Sequence, residues 1–126
     1  MKPSSINVHR KSATLELKFP NNEAYTLSAE YLRVFSPSAE VQGHSPDQAV
    51  LQHGKRYVVF NDLEPQGHYA LKIVFSDGHD SGIFSWDYLY ELATNHESRW
   101  EGYLANLQSE GKSREPQFIA VDWPQA

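Results

Sequence analysis

The chain contains no cysteine, and this absence excludes several kinds of chemistry at once. Disulfides, thiolate zinc sites, iron–sulfur ligation by this chain and cysteine nucleophiles all require the missing thiol. The chain also lacks an apolar run near the roughly 20 residues of a membrane span, and residues 1–5 lead into a polar strand rather than an apolar signal core. We therefore expect a cytoplasmic protein without membrane attachment.

Positive charge is scarce as well. Eleven Lys and Arg residues stand against 16 Asp and Glu, which gives a formal net charge of −5. Because nucleic-acid binding requires a clustered basic surface, we do not expect a nucleic-acid partner. No glycine-rich phosphate loop is present. At 126 residues the chain fits one domain, which we assign to residues 1–112, with 113–126 as a partly flexible tail.

Alternating apolar and polar residues predict antiparallel strands. Ile6–Arg10 and Thr14–Phe19 form a hairpin in this interpretation, and Ala24–Leu27 pairs back onto it. Farther along, Tyr57–Phe60 and His68–Phe75 are predicted strands.

Turn residues separate these later strands. Leu63–Gly67, with a proline and a glycine, is a predicted turn. The Ser76-Asp77-Gly78 sequence favours a hairpin turn, after which Ser81–Phe84 returns as a short strand.

Helix starts are marked by serine and threonine. Ser28 and Ser85 are predicted N-caps, Ser36 followed by proline resembles another helix start, and Thr94 has capping-box spacing for a last helix ending near Gly111. The predicted fold is α+β: a small antiparallel sheet with short helices and two C-terminal helices packed on one face. In the tail, four apolar residues could dock onto the body or onto a partner: Phe118, Ile119, Val121 and Trp123.

Two long motifs carry a family resemblance. Residues 30–44 read EYLRVFSPSAEVQGH, and residues 78–89 read GHDSGIFSWDYL. With these motifs, the chain from about Ile6 to Arg114 resembles the DUF971 family, also called the gamma-butyrobetaine hydroxylase-like N-terminal domain.

The resemblance extends to the N-terminal domain of gamma-butyrobetaine and trimethyllysine dioxygenases, which binds zinc through three cysteines and one histidine. The corresponding positions here are Ser36, Ser38, Val41 and His79. Since three of these four residues are not effective zinc ligands, the resemblance implies that the dioxygenase-type zinc site is absent. The oxygenase domain is missing too, so we do not predict hydroxylase activity.

In other relatives such domains are fused to P-loop ATPases of iron–sulfur cluster assembly. The resemblance therefore implies a non-enzymatic binding or adaptor domain, accessory to iron–sulfur or metal handling, with such an ATPase as a protein partner. We place its interaction surface on the two motif segments, and the residues expected there are Arg33, Ser36, Ser38, Glu40 and Tyr88.

His79 stands between two aspartates and has three interpretations. It is a ligand of iron or zinc together with His44, Asp80 and further carboxylates, or it is the base of a small hydrolase that uses a loop serine such as Ser36. In the third interpretation, His79 and Asp77 simply fix the turn through hydrogen bonds.

Two further side chains have open roles. Arg33 forms an ion pair with Glu40, which we favour, or presents its guanidinium to an anionic ligand. Tyr88 is either exposed at a protein interface or packed against the last helix.

Overall fold

The α+β class is confirmed, with strands that divide into two three-stranded antiparallel sheets and with two helices at the C-terminal end. The computed structural model describes residues 1–43 and 45–116. The strands are β1 (Ser5–His9), β2 (Thr14–Lys18), β3 (Ala24–Ser28), β4 (Phe60–Gln66), β5 (Ala70–Phe75) and β6 (Gly82–Ser85). The α-helices are α1 (Ala29–Val34), α2 (Ala39–Gln42), α3 (Trp86–Thr94) and α4 (His96–Ser109), and a 3-10 turn covers Pro46–Gln48.

The first sheet has the order β1-β2-β3, as the predicted hairpin and returning strand require. Leu15 and Leu17 of β2 and Leu27 of β3 point into the core and are buried. The chain then enters α1 directly, where the Ser28 side chain accepts a hydrogen bond from the Tyr31 N–H. The predicted cap at Ser28 is therefore confirmed.

The second sheet has the order β4-β5-β6, and here one pair of predictions is wrong. Tyr57–Phe60 is not the strand and Leu63–Gly67 is not the turn, because β4 runs from Phe60 to Gln66. In the sequence, Pro65 favours a turn in this segment, which is why the strand was not predicted. The proline is tolerated since β4 lies at the edge of the sheet and pairs only with β5.

Helix starts were predicted with mixed success. Ser85 caps α3 as predicted, its side chain accepting from the Tyr88 N–H. The second helix begins two residues later than expected, because Ser38 rather than Ser36 is its N-cap. Thr94 starts no helix: it ends α3, where its hydroxyl donates to the Tyr90 carbonyl.

One apolar core joins the two sheets to α1 and α3. Its fully buried members include Tyr31, Phe75, Phe84 and Leu89. A smaller cluster on α4, formed by Tyr103 and Leu107 with Val34 of α1, fixes the last helix to the body. No helix within residues 1–43 and 45–116 has the length and apolar character needed to cross a membrane.

The segment after α4 returns to the body. Gly54 donates its N–H to the Ser113 carbonyl over 2.8 Å, and Arg114 forms two hydrogen bonds with Glu30, at 2.8 and 2.6 Å. The Arg114 guanidinium also lies 5.1 Å from the ring centre of Trp100. The predicted docking residues Phe118, Ile119, Val121 and Trp123 lie outside the described residues.

Candidate functional site

The two motif segments meet at Ser36 and His79. Ser36 follows α1, and His79 lies in the turn between β5 and β6. The Ser36 Oγ is 2.9 Å from the His79 Nε2, which is hydrogen-bonding distance. Residues 43 positions apart in the chain are thus joined at one point.

The β5–β6 turn directs the His79 ring inward. Asp77 accepts the His79 N–H at its Oδ1 over 3.3 Å, and the His79 carbonyl accepts the Phe75 N–H over 2.9 Å. Gly78 between them has φ +88°, a left-handed conformation that glycine adopts without steric cost. Asp77 therefore fixes the turn, as the third interpretation of His79 requires.

The other ring nitrogen faces Glu40. The His79 Nδ1 is 3.3 Å from the Glu40 Oε2. A carboxylate only accepts hydrogen bonds, so the proton of the neutral ring belongs on Nδ1, and Nε2 then accepts from the Ser36 hydroxyl. The Ser36 Oγ in turn accepts the Ser38 N–H over 3.3 Å. We call the group formed by Ser36, Glu40 and His79 the clasp.

Most of the clasp is enclosed. Ser36 is 0% exposed and His79 is 6% exposed, whereas the Glu40 side chain is 72% exposed. A Cβ built on Gly82 would stand 2.6 Å from the Ser36 Oγ, so the backbone of β6 closes the space above the hydroxyl. Ser36 is within reach of His79, as the hydrolase interpretation demands, but there is no room for a substrate beside it.

Burial and nearby charge both act on His79. Burial lowers the pKa of the imidazole, and the positive charge of Arg33 lowers it further. Glu40 and Asp77 act in the opposite direction, and the net shift is downward. His79 is therefore neutral at pH 7 in the folded protein.

Arg33 does not pair with Glu40, so that prediction is wrong. Its Nε donates instead to the Asp77 Oδ2 over 2.9 Å, and Lys55 reaches the same oxygen over 2.7 Å. Burial raises the pKa of Asp77, but the hydrogen bond from Lys55 and the charge of Arg33 outweigh it and lower the pKa overall. Asp77 thus takes the Nε donor of Arg33, while Glu40 faces His79 instead.

Four of the five residues predicted for an interaction surface are not freely exposed. Arg33, Ser36 and Ser38 are buried, and Glu40 alone projects into solvent. Tyr88 is half-buried: its hydroxyl donates to the Phe35 carbonyl over 2.6 Å. The guanidinium of Arg99 on α4 also lies 5.9 Å from the centre of the Tyr88 ring, so this side chain contacts the last helix as the packing alternative describes.

The residues at the zinc-ligand positions do not fit zinc. Two are hydroxyls, and Val41 is a buried apolar side chain without a donor atom. Within residues 1–43 and 45–116, no three His, Asp or Glu side chains are placed to hold a metal ion. Asp80 is exposed beside His79, and His44 lies outside the described residues. Both ring nitrogens of His79 already face partners, so ligation by His79 would break a bond of the clasp.

A groove that the sequence did not reveal lies on the other side of the α1–α2 segment. It encloses about 490 Å³ between α4 and the 49–52 loop, and the Tyr103 hydroxyl ties the two walls by donating to the Gln52 carbonyl over 2.9 Å. Its lining is mixed: the apolar residues are Val34, Phe35, Val41, Ala49, Val50, Leu51 and Tyr103, and the polar residues are Gln42, Gln52, Ser98, Arg99 and Asn106. Gly102, on the groove side of α4, was the available sequence signal, because glycine in a helix interior costs stability unless space is needed there.

Comparison with known proteins identifies the family. The model of the family described as gamma-butyrobetaine hydroxylase-like, N-terminal, matches residues 6–90, and the chain belongs to this family. A DUF971-family protein of unknown function from Acidithiobacillus ferrooxidans ATCC 23270, whose crystal structure was solved at 1.93 Å, is 34% identical with a TM-score of 0.61. That match covers 73% of this chain and 92% of the other.

Two proteins with NMR solution structures are more similar. One is 55% identical with a TM-score of 0.80, covering 95% of this chain and 94% of the other. The second is 49% identical with a TM-score of 0.78, covering 95% of this chain and 90% of the other. The curated proteins contain no match to this chain.

Proposed function

We propose that this chain is a non-enzymatic binding module that acts as an adaptor for a protein partner. The observation that carries the proposal is the contrast between two regions. The residues with catalytic chemistry, Ser36 and His79, are enclosed, whereas the groove beside α4 is open and lined by both apolar and polar residues. A groove of several hundred Å³ that combines apolar surface with several polar groups is typical of a binding site.

The groove suits a short extended peptide segment. Apolar side chains of such a segment would enter between Phe35 and Leu51, and the Asn106 amide lies at a position that can meet main-chain groups. Gln42 and Gln52 can offer their amide oxygens, since their amide nitrogens already donate to the Ser36 and Val50 carbonyls. Val50 is 56% exposed beside them and would gain the most from being covered. The proposed surface includes part of the first motif segment, because Val41 and Gln42 line the groove.

The proposed partner is a P-loop ATPase of iron–sulfur cluster assembly. Support comes from the family resemblance, in which related domains are fused to such ATPases. In this role the chain handles metal through its partner rather than with its own side chains. The segment that it binds is, in this proposal, an apolar stretch on the surface of the ATPase.

A glycine in the groove offers a sharp test. A Cβ at Gly102 would meet nothing within 4 Å, so Gly102→Leu fills the groove without disturbing the fold. The matched control is Ala105→Leu, which adds bulk to an exposed position of the same helix outside the groove.

Binding to the purified ATPase from the same organism is then measured by titration calorimetry. The proposal expects wild-type and Ala105→Leu to bind alike and Gly102→Leu to lose at least about tenfold in affinity, or about 1.4 kcal/mol. Equal affinity of the wild type and both variants would show that the groove is not the binding site. Failure of the wild type to bind would show that this ATPase is not the partner.

A further inference from the structure

We infer that this chain replaces the zinc tie of the dioxygenase-type domain with a metal-free tie, the clasp of Ser36, Glu40 and His79. The inference concerns structure rather than partner choice, and it does not rest on the proposed function. Three of the four positions that the family resemblance assigns to zinc ligands hold residues without an effective zinc donor.

The positions concerned are together in space although their chemistry has changed. Ser36 and His79 correspond to two of the four zinc ligands, and their polar atoms are 2.9 Å apart. A zinc ion would hold its ligand atoms farther from one another, with the metal between them. Because Oγ and Nε2 are in direct contact, the two segments pack against each other with no space for a metal ion between these atoms.

The clasp gives a partner to each polar side-chain atom of Ser36 and His79. The Ser36 hydroxyl donates to Nε2 and accepts the Ser38 N–H, while Nδ1 of His79 faces the Glu40 carboxylate. A buried imidazole without partners would be costly, and here both nitrogens are engaged. Glu40 takes part from an exposed position, so its charge is not buried with the ring.

A second contact joins the same two segments. Arg33 of α1 donates to Asp77 of the β5–β6 turn, two residues before His79. Side-chain hydrogen bonds thus connect the first motif segment to residues 77–88 at three points, since the Tyr88 hydroxyl also donates to the Phe35 carbonyl. A structural metal is worth many kcal/mol to a small domain that depends on it, so its replacement requires more than one such bond.

The test combines metal dependence with a double-mutant cycle. Urea unfolding is measured for wild type, Ser36→Ala, His79→Asn and the double variant, each with EDTA and with added zinc chloride, and metal content is determined on untagged protein purified without chelator. Asp80→Asn, an exposed change next to His79, is the matched control.

The inference predicts that EDTA and zinc leave the unfolding midpoint of the wild type unchanged. Ser36→Ala should raise the unfolding constant roughly tenfold in the wild-type background, and by less than about threefold once His79 is already Asn. If His79→Asn does not fold, Glu40→Ala replaces it in the cycle, because the Glu40 side chain is exposed and alanine removes the acceptor that faces Nδ1.

Three results would overturn the inference. One is a stoichiometric metal lost in His79→Asn, and another is a wild type destabilised by EDTA. The third is strict additivity of the two substitutions, which would show that Ser36 and His79 do not act as a pair.

Discussion

Replacing Gly82 with alanine tests how closely β6 packs against Ser36 of the first motif segment. Gly82 begins β6 and has no left-handed backbone conformation, so alanine is compatible with its φ and ψ. The added Cβ, however, would lie 2.6 Å from the Ser36 Oγ and 3.1 Å from a ring carbon of Phe84. Ordinary contacts begin near 3.4 Å, so Ser36 has to retreat by several tenths of an ångström.

The expected cost follows from these contacts. Overpacking of a closed core costs about 1–3 kcal/mol, and a weakened Ser36–His79 hydrogen bond adds about 1 kcal/mol. The smaller entropy of unfolded alanine returns about 0.5–1 kcal/mol. We therefore expect Gly82→Ala to lower the free energy of unfolding by about 2 kcal/mol.

The structure also predicts how this cost depends on Ser36. Ser36→Ala removes the Oγ and leaves a Cβ at 3.6 Å from the new methyl group, which is an ordinary contact. Only the approach to Phe84 then remains, so Gly82→Ala in the Ser36→Ala background should cost about 1 kcal/mol.

Urea denaturation followed by circular dichroism measures all of these variants. Gly102→Ala is the control, since its Cβ meets nothing within 4 Å on an exposed helix position and should stabilise by up to about 1 kcal/mol. Equal destabilisation by Gly82→Ala with and without the Ser36 hydroxyl would refute the reasoning, because the clash would then lie elsewhere.

Two further predictions concern charged groups. Arg114→Gln should lower the free energy of unfolding, measured in urea, by about 2–3 kcal/mol, because it leaves the Glu30 carboxylate, 6% exposed, without its charged partner. Glu30→Gln should lower it less, since the Arg114 side chain is 32% exposed and can reach water. A larger cost for Glu30→Gln would contradict this asymmetry. For His79, burial and then Arg33 lower the pKa, so the unfolded chain takes up a proton below about pH 6.5 that the folded protein resists. The free energy of unfolding should fall as the pH drops from 7 toward 5, and it should fall less steeply in His79→Gln. Identical pH dependence in the two proteins would contradict a lowered pKa of His79.

The local features of the fold could be read from the sequence because short-range patterns determine them. Strict alternation of Leu15 and Leu17 with polar residues defined β2, and serine side chains at positions 28 and 85 defined two helix starts. β4 could not be identified in this way, since whether Pro65 forms a turn or an edge strand depends on which strand lies beside it.

The site was harder to predict, because it depends on long-range contacts. The sequence showed that Ser36 and His79 belong to two motifs of one family. It did not show that both side chains would be buried. The pairing of Arg33 with Asp77 could not be predicted, since Asp77 lies 44 residues away in the chain, whereas Glu40 is close to Arg33 in sequence. The groove escaped notice because its two walls are separated in the chain by about fifty residues, as the bond between Gln52 and Tyr103 shows.

The most direct test of the central claim is the state of the His79 ring, measured by long-range proton–nitrogen NMR correlation at neutral pH. The account predicts a neutral ring with the proton on Nδ1 and an Nε2 that accepts a hydrogen bond, lost in Ser36→Ala and unaffected by EDTA. A ring protonated on Nε2, or nitrogen shifts that change when a chelator is added, would contradict it.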